Sequence, residues 1–269
     1  LAPIIEKLKI SCGVLCGHNL LLFHIEPNSS MRSEFTSLGF HLGQRAVALP
    51  LRAGEDPVAF DAWLGAEAVA DAEEIHAESR KLSDLALAKL CKALVSALGP
   101  GTSSSSTARP VGTRLQHLDL AENLLTNQGA LALAECLTTI RKHYGPDVLR
   151  SLNLSSNQIG PDGAEALAMS FFPLCRGRSQ TSSEHILVMS ENPLGDEGVA
   201  SIAAAVRIRE CHSVLHLCDV GCAGDGCNAL VECLPWLHGL DISYNFIPAF
   251  DLTALSKRVV EPLKTLHLS

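Results

Sequence analysis

The stretch 115–137, LQHLDLAENLLTNQGALALAECL, constrains this chain more than any other. It opens with apolar residues at every second position. Leu118 and Leu120 share one side while Asp119 and Ala121 share the other, the pattern of a short strand with one buried face. Asn123 and Leu125 turn the chain, and after Gly129 the residues Leu133, Cys136 and Leu137 recur at helical spacing. So short a strand–turn–helix unit cannot enclose a core alone and has to stack on copies of itself. Copies exist. Laid on Leu120, the pattern recurs at Leu154, Met189, Leu217, Ile242 and Leu268, and upstream at Ala77 and, loosely, Leu51.

The recurring positions are specific in type. Strand pairs stand at Leu118/Leu120, Leu152/Leu154, Leu215/Leu217 and Leu240/Ile242, followed by Asn123, Asn157, Asn192 and Asn245 at the turn and by Gly129, Gly163, Gly198 and Gly226 at the helix start. Leucines in such a unit fill the layer between strand and helix, asparagines can bond the backbone of neighbouring turns, and glycines permit close approach. Arg80 and Val220 replace the asparagine, and Ala86 and Asp251 the glycine, so looser turns are expected there. On these residues the chain resembles the ribonuclease-inhibitor-like class of leucine-rich-repeat (LRR) proteins. That resemblance implies an α/β solenoid, horseshoe-shaped, with parallel strands on the concave face and helices on the convex face. Strands are expected centred on the anchors, with helices near 84–97, 127–140, 162–172, 196–207 and 225–234.

Residues 1–45 read as an N-terminal cap or degenerate repeats, and 46–269 as the solenoid. Serine-, glycine- and proline-rich insertions fall at 99–113 and 176–183. The chain starts without Met and stops inside a strand–turn unit, which reads as a piece of a longer protein. Net charge is −8, which argues against a nucleic-acid or anionic-membrane surface. No apolar run reaches about 18 residues, the span of a membrane helix. The ten cysteines are spread through repeat positions, with Cys136 and Cys233 at equivalent core-facing helix sites; this is the usage of small buried hydrophobes in a reducing, cytoplasmic compartment.

Three columns of residues are expected to point outward from the sheet. The first holds His76, Asp119, Asn153, Val188, His216, Asp241 and His267; the second Glu78, Ala121, Ser155, Ser190, Cys218 and Ser243; the third Ser79, Glu122, Ser156, Glu191, Asp219 and Tyr244. At about 4.8 Å per strand these make a surface roughly 30 Å long. The candidate partner-binding set is His76, Asp119, Glu122, Asn153, Glu191, His216, Asp219, Asp241 and Tyr244, suited to a protein partner with a basic or mixed surface. A bland alternative is a solvated face, since strand residues outside the core are polar in any case.

No catalytic set is read, because an open sheet offers neither a water-excluding pocket nor an oxyanion site. The cluster Cys211, His212, His216, Cys218, Cys222, Cys227, Cys233 and His238 has the residue types for zinc. Its members alternate between core and surface, though, and zinc needs ligands converging on one point. No cofactor, metal or small-molecule substrate is expected. The leading functional reading is a non-catalytic interaction scaffold within a larger intracellular assembly. Two alternatives stand beside it: a GTPase-activating regulator resembling Ran GTPase-activating protein, and the sensor portion of a nucleotide-binding innate-immune receptor.

Overall fold

A computed structural model describes residues 46–49, 60, 61, 64, 72–96, 115–145, 148–175, 184–246 and 263–267. The chain divides into two units, Leu1–Gln44 and Arg45–Ser269, and every described residue belongs to the second. Both insertions and the reading of residues 1–45 lie outside the described residues.

Strands and helices alternate. In chain order they are β1 (Ala46–Ala48), β2 (Glu74–His76), α1 (Asp84–Ser96), β3 (His117–Asp119), α2 (Asn127–Tyr144), β4 (Ser151–Asn153), α3 (Pro161–Phe171), β5 (His185–Val188), α4 (Gly195–Arg209), β6 (Ser213–His216), α5 (Gly224–Cys233), a 3₁₀ turn (Leu234–Trp236), β7 (Leu237–Asp241) and β8 (Thr265–His267). The strands form one parallel sheet in sequence order, each beside the next. The register is the one the repeat pattern requires: Ile75, Leu118, Leu152, Leu187, Leu215, Leu240 and Leu266 stand in one row. This is a leucine-rich-repeat α/β solenoid with an open sheet.

Two details differ from the sequence reading. The strands are centred two residues before the anchors, on the first apolar residue of each pair. Parallel hydrogen bonding nevertheless runs on through the anchors, as in Leu120 N–H to Asn153 O (2.8 Å) and Leu154 N–H to Val188 O (2.8 Å). The anchor of β1 is Leu49, not Leu51, since the Leu49 amide bonds His76 O just as Ala77 bonds Asp119 O. A slip of two keeps the side-chain face, which is why the apolar pattern alone did not separate these two positions.

The anchors Ala77, Leu120, Leu154, Met189, Leu217 and Ile242 are fully buried. Against them pack helix residues at i, i+3 and i+4 spacing, such as Ala130, Leu133, Ala134 and Leu137 on α2 and Val199, Ile202, Ala203 and Val206 on α4. Fully burying each leucine, isoleucine, valine or methionine among them contributes about 1.5–3 kcal/mol.

Two polar ladders tie repeat to repeat. In the turn ladder, each buried asparagine bonds its own and the preceding repeat. Asn157 Nδ2 donates to Leu120 O, Leu154 O and Ser155 O at 3.0–3.1 Å, and its Oδ1 accepts from Leu125 N. Asn123, Asn192 and Asn245 repeat the arrangement. Arg80 and Val220 have no such side chain, yet their amides are held by the asparagine of the following repeat. The link that Val220 omits toward the previous repeat is made by backbone instead, from Gly195 N–H to Val220 O at 2.9 Å.

The second ladder lies at the helix starts. The Asp84 carboxylate accepts from Thr126 N and Oγ1, Asn127 Oδ1 from Gly160 N and Gly163 N, and Asp196 Oδ1 from Ala223 N and Gly226 N. It explains the glycines at 129, 163 and 226, whereas Gly198 is crowded by Leu194 and the Pro161 backbone. A Cβ on Gly163 would stand 2.7 Å from Asn127 Oδ1, and one on Gly226 would stand 2.8 Å from Asp196 Oδ1. The close approach is to the preceding repeat's capping side chain.

Two outcomes are expected. Leu154→Ala or Leu217→Ala destabilises by about 2–5 kcal/mol in chemical denaturation, because each leaves a cavity between the layers. Asp196→Ala behaves differently with pH. The two backbone donors hold the Asp196 carboxyl below the usual carboxylate range, so its contribution is present above the unfolded value of about 3.9 and is lost as pH falls through the folded value. The destabilisation measured at neutral pH should therefore shrink in acid below about pH 4.

Candidate functional site

The outward face of the sheet is built by alternation. In β2 and β4 the middle residue is buried and its two neighbours are half-exposed, and β5 and β6 follow the same alternation. The outward rows are Glu74, His117, Ser151, Ile186, Val214, Gly239 and Thr265, then His76, Asp119, Asn153, Val188, His216, Asp241 and His267.

Past the anchors comes a row of one structural type. Ser79, Glu122, Ser156, Glu191, Asp219 and Tyr244 all take φ between 50° and 57°, the left-handed region. That conformation swings the chain from strand toward helix and presents each of these side chains at the rim of the sheet. None of the six is glycine, although glycine adopts this backbone at no steric cost. The side chains at these positions are thus kept against a conformational penalty of about 1 kcal/mol or more each.

The candidate set divides by what its members already bond. Asp119 Oδ1 accepts from Ala121 N at 3.0 Å, Asn153 Oδ1 from Ser155 N at 3.1 Å, and Asp241 Oδ1 from Ser243 N at 3.0 Å. These three therefore brace the strand end in addition to facing outward. Glu122 accepts from Ser79 Oγ, and Glu191 from Ser156 Oγ at 2.7 Å, each across one repeat. His216 Nδ1 lies 3.9 Å from Asp241 Oδ2, but burial outweighs that neighbour and pushes the imidazole below its usual value. Tyr244 is 65% exposed. Ala121 and Ser243, expected outward, are buried beneath the turn.

The charge of this face is one-sided. Its described rows carry Glu74, Glu78, Asp119, Glu122, Glu191, Asp219 and Asp241 and no lysine or arginine. Its middle is apolar, with Ile186, Val188 and Val214 half-exposed together on β5 and β6. Val188 is expected outward from the repeat alignment, but strand propensity reads Ile186 and Val214 as ordinary strand residues, so the sequence does not show that the three form a patch.

Among the described residues one group brings ligand atoms together: His76, Glu78 and Asp119, whose side chains each place one within 4.8 Å of the others. It escapes a sequence reading because Asp119 is 43 residues from His76 and pairs with it only through strand register. The residues of the Cys/His cluster divide between core and surface. Cys211, Cys222, Cys227 and Cys233 are in the core, His212 stacks on His238 with ring centroids 4.9 Å apart, and His216 and Cys218 face outward. Burial raises the Cys222 and Cys227 thiols and pushes Cys233 up to about 12, so these remain protonated.

A sequence family described as "Leucine Rich repeat" matches residues 113–134, 148–168 and 185–203. These stretches hold β3, β4, β5 and the helix starts that follow them. With the fold, they make the chain a leucine-rich-repeat protein. It is similar to the human protein "NACHT, LRR and PYD domains-containing protein 5", at 30% identity over 152 residues. That match covers 55% of this chain and 12% of the relative. No helix among the described residues is long and apolar enough to cross a membrane.

Burial is the first cause, and the Glu78 charge a further one, of an Asp119 carboxyl raised above its ordinary value. A raised carboxyl favours the fold below its unfolded value and loses that advantage as pH rises through the folded value. Asp119→Asn removes this pH dependence while keeping the bond to the Ala121 amide, as Asn153 does one repeat on. The variant should be as stable as the parent or more so at neutral pH, judged by denaturation; a clear loss would show that the ionised carboxylate itself is needed.

Proposed function

We propose that the chain is a non-catalytic interaction scaffold of the ribonuclease-inhibitor-like type. In this reading it receives a protein partner on the outward face of its sheet within a larger intracellular assembly. Leucine-rich repeats are protein-interaction modules, and an exposed solenoid sheet is a preformed surface that loses little entropy on binding. The observation that carries the reading is the one-sided face: seven carboxylates, no lysine or arginine in the described rows, and an apolar centre at Ile186, Val188 and Val214. That pattern suits a basic segment with an apolar anchor. His76, Asn153, His216 and Tyr244 supply hydrogen-bonding and aromatic contacts around it. The eight described cysteines stand as thiols, which supports a reducing, cytoplasmic setting.

The second reading, a sensor portion of a multidomain receptor, is favoured by the similarity to a protein whose name records NACHT and PYD domains beside its LRR region. No observation here favours the GTPase regulator over these two. A full-length transcript encoding a NACHT domain on the same chain would support the receptor reading, and one without it would remove that reading.

Converting Glu122, Glu191, Asp219 and Asp241 together to Gln or Asn should slow association with the recovered partner and flatten its salt dependence, because charge acts mainly on the approach. A helix set of exposed carboxylates, Glu135, Glu165 and Glu197, should do much less. Binding titrations at two ionic strengths decide. If the helix set fails while the sheet set binds normally, the partner uses the helix side. Glu191→Gly separates recognition from folding: stability should stay within about 1 kcal/mol, since glycine relieves the left-handed backbone, while binding weakens.

A further inference from the structure

We propose that His76, Glu78 and Asp119 form a binding site for a divalent transition-metal ion of the zinc class, with Glu74 orienting the histidine. The placement is fixed by backbone. His76 on β2 and Asp119 on β3 are direct register partners, and Glu78 follows the anchor Ala77, whose amide bonds Asp119 O at 2.8 Å. All three side chains therefore rise from one hydrogen-bonded corner of the sheet, each contributing a ligand atom within 4.8 Å of the other two. A tetrahedral zinc ion with bonds of about 2.0–2.2 Å needs its ligands about 3.3–3.6 Å apart. Closing from the present spacing requires the ligand atoms to draw together by up to about 1.2–1.5 Å.

The surroundings fit a cation. His76 Nε2 lies 3.3 Å from Glu74 Oε2, the carboxylate–histidine pairing that fixes ring orientation in metal sites; coordination through Nδ1 would preserve it. Asp119 uses Oδ1 for the Ala121 amide and also meets the Asn153 side chain, two contacts that orient the carboxylate at this corner. One imidazole with two carboxylates selects a zinc-like ion over magnesium or calcium, which take oxygen ligands alone. Three protein ligands leave a fourth position open to water or to a donor from another molecule.

The site is testable without any partner. The full chain is titrated with Zn²⁺ in excess Mg²⁺ by calorimetry, and with Co²⁺ by visible absorption. The expected result is one equivalent bound, with a cobalt spectrum lacking the thiolate charge-transfer band that the cysteines would give. His76→Ala and Glu78→Gln should each weaken binding by at least about 10–100-fold, the range that even loss of an outer-shell partner costs. Glu74→Gln should weaken it less than either, while Glu232→Gln on α5 should leave it unchanged. Metal-free denaturation midpoints show that each variant is folded; should His76→Ala fail to fold, Glu78→Gln carries the test. Absence of saturable uptake up to about 1 mM, a thiolate band, or unchanged affinity in a folded ligand variant would overturn the proposal.

Discussion

The structure depends on an amide that reaches two ways. Each turn asparagine donates to carbonyls of its own repeat and the one before, while its oxygen accepts an amide of the one before. These groups are buried, with Asn123, Asn157 and Asn192 all under 8% exposed. Leaving one of them unpaired costs about 1–3 kcal/mol. The leucines supply most of the burial but are tolerant of how neighbouring repeats slide. The asparagines are not tolerant, because a shifted repeat would orphan several buried groups together. Apolar filling thus gives stability, and the ladder gives register.

Register in turn makes the surface. Direct pairing of His76 with Asp119 and of His216 with Asp241 exists only because strands that are far apart in sequence are held without offset. The left-handed residue at each of these turns, whether asparagine or Val220 follows it, carries Glu122, Glu191, Asp219 and Tyr244 to the rim. Among the described strands the register breaks at a bulge in β7, where the pairing with β6 steps from Ser213↔Leu237 to Val214↔Gly239 and leaves His238 unpaired in the register. That residue is placed to bond Glu184 (2.6 Å) and stack on His212.

What the sequence made legible is what repeats. Leucine, asparagine and glycine positions recur in type, so the five described helices and the strand order follow from superposing the units. Where repeats differ, or where a residue acts on another repeat, the pattern is silent. Leu49 and Leu51 both fit the apolar alternation, and only the bond of the Leu49 amide to His76 O identifies the anchor. Asp84, Asn127 and Asp196 look like ordinary polar residues of a helix start; their role is visible only once the next repeat's amides are seen to point at them. Asp119, Asn153 and Asp241 read as free surface groups, although each closes a short loop to the amide two residues on. The apolar centre of the face is hidden because Ile186 and Val214 are also what a buried strand would use.

Hydrogen exchange in an Asn157→Ala variant tests the ladder most directly. The amide of Leu125 bonds the Asn157 side chain, whereas that of Gly195 is held by backbone at the turn where Val220 stands. Loss of the side chain should speed exchange at Leu125 and along the β3–β4 pairing, with Gly195 close to its parent rate. Uniform protection across both sites would contradict the account, since it would mean that apolar packing alone holds the repeats in register.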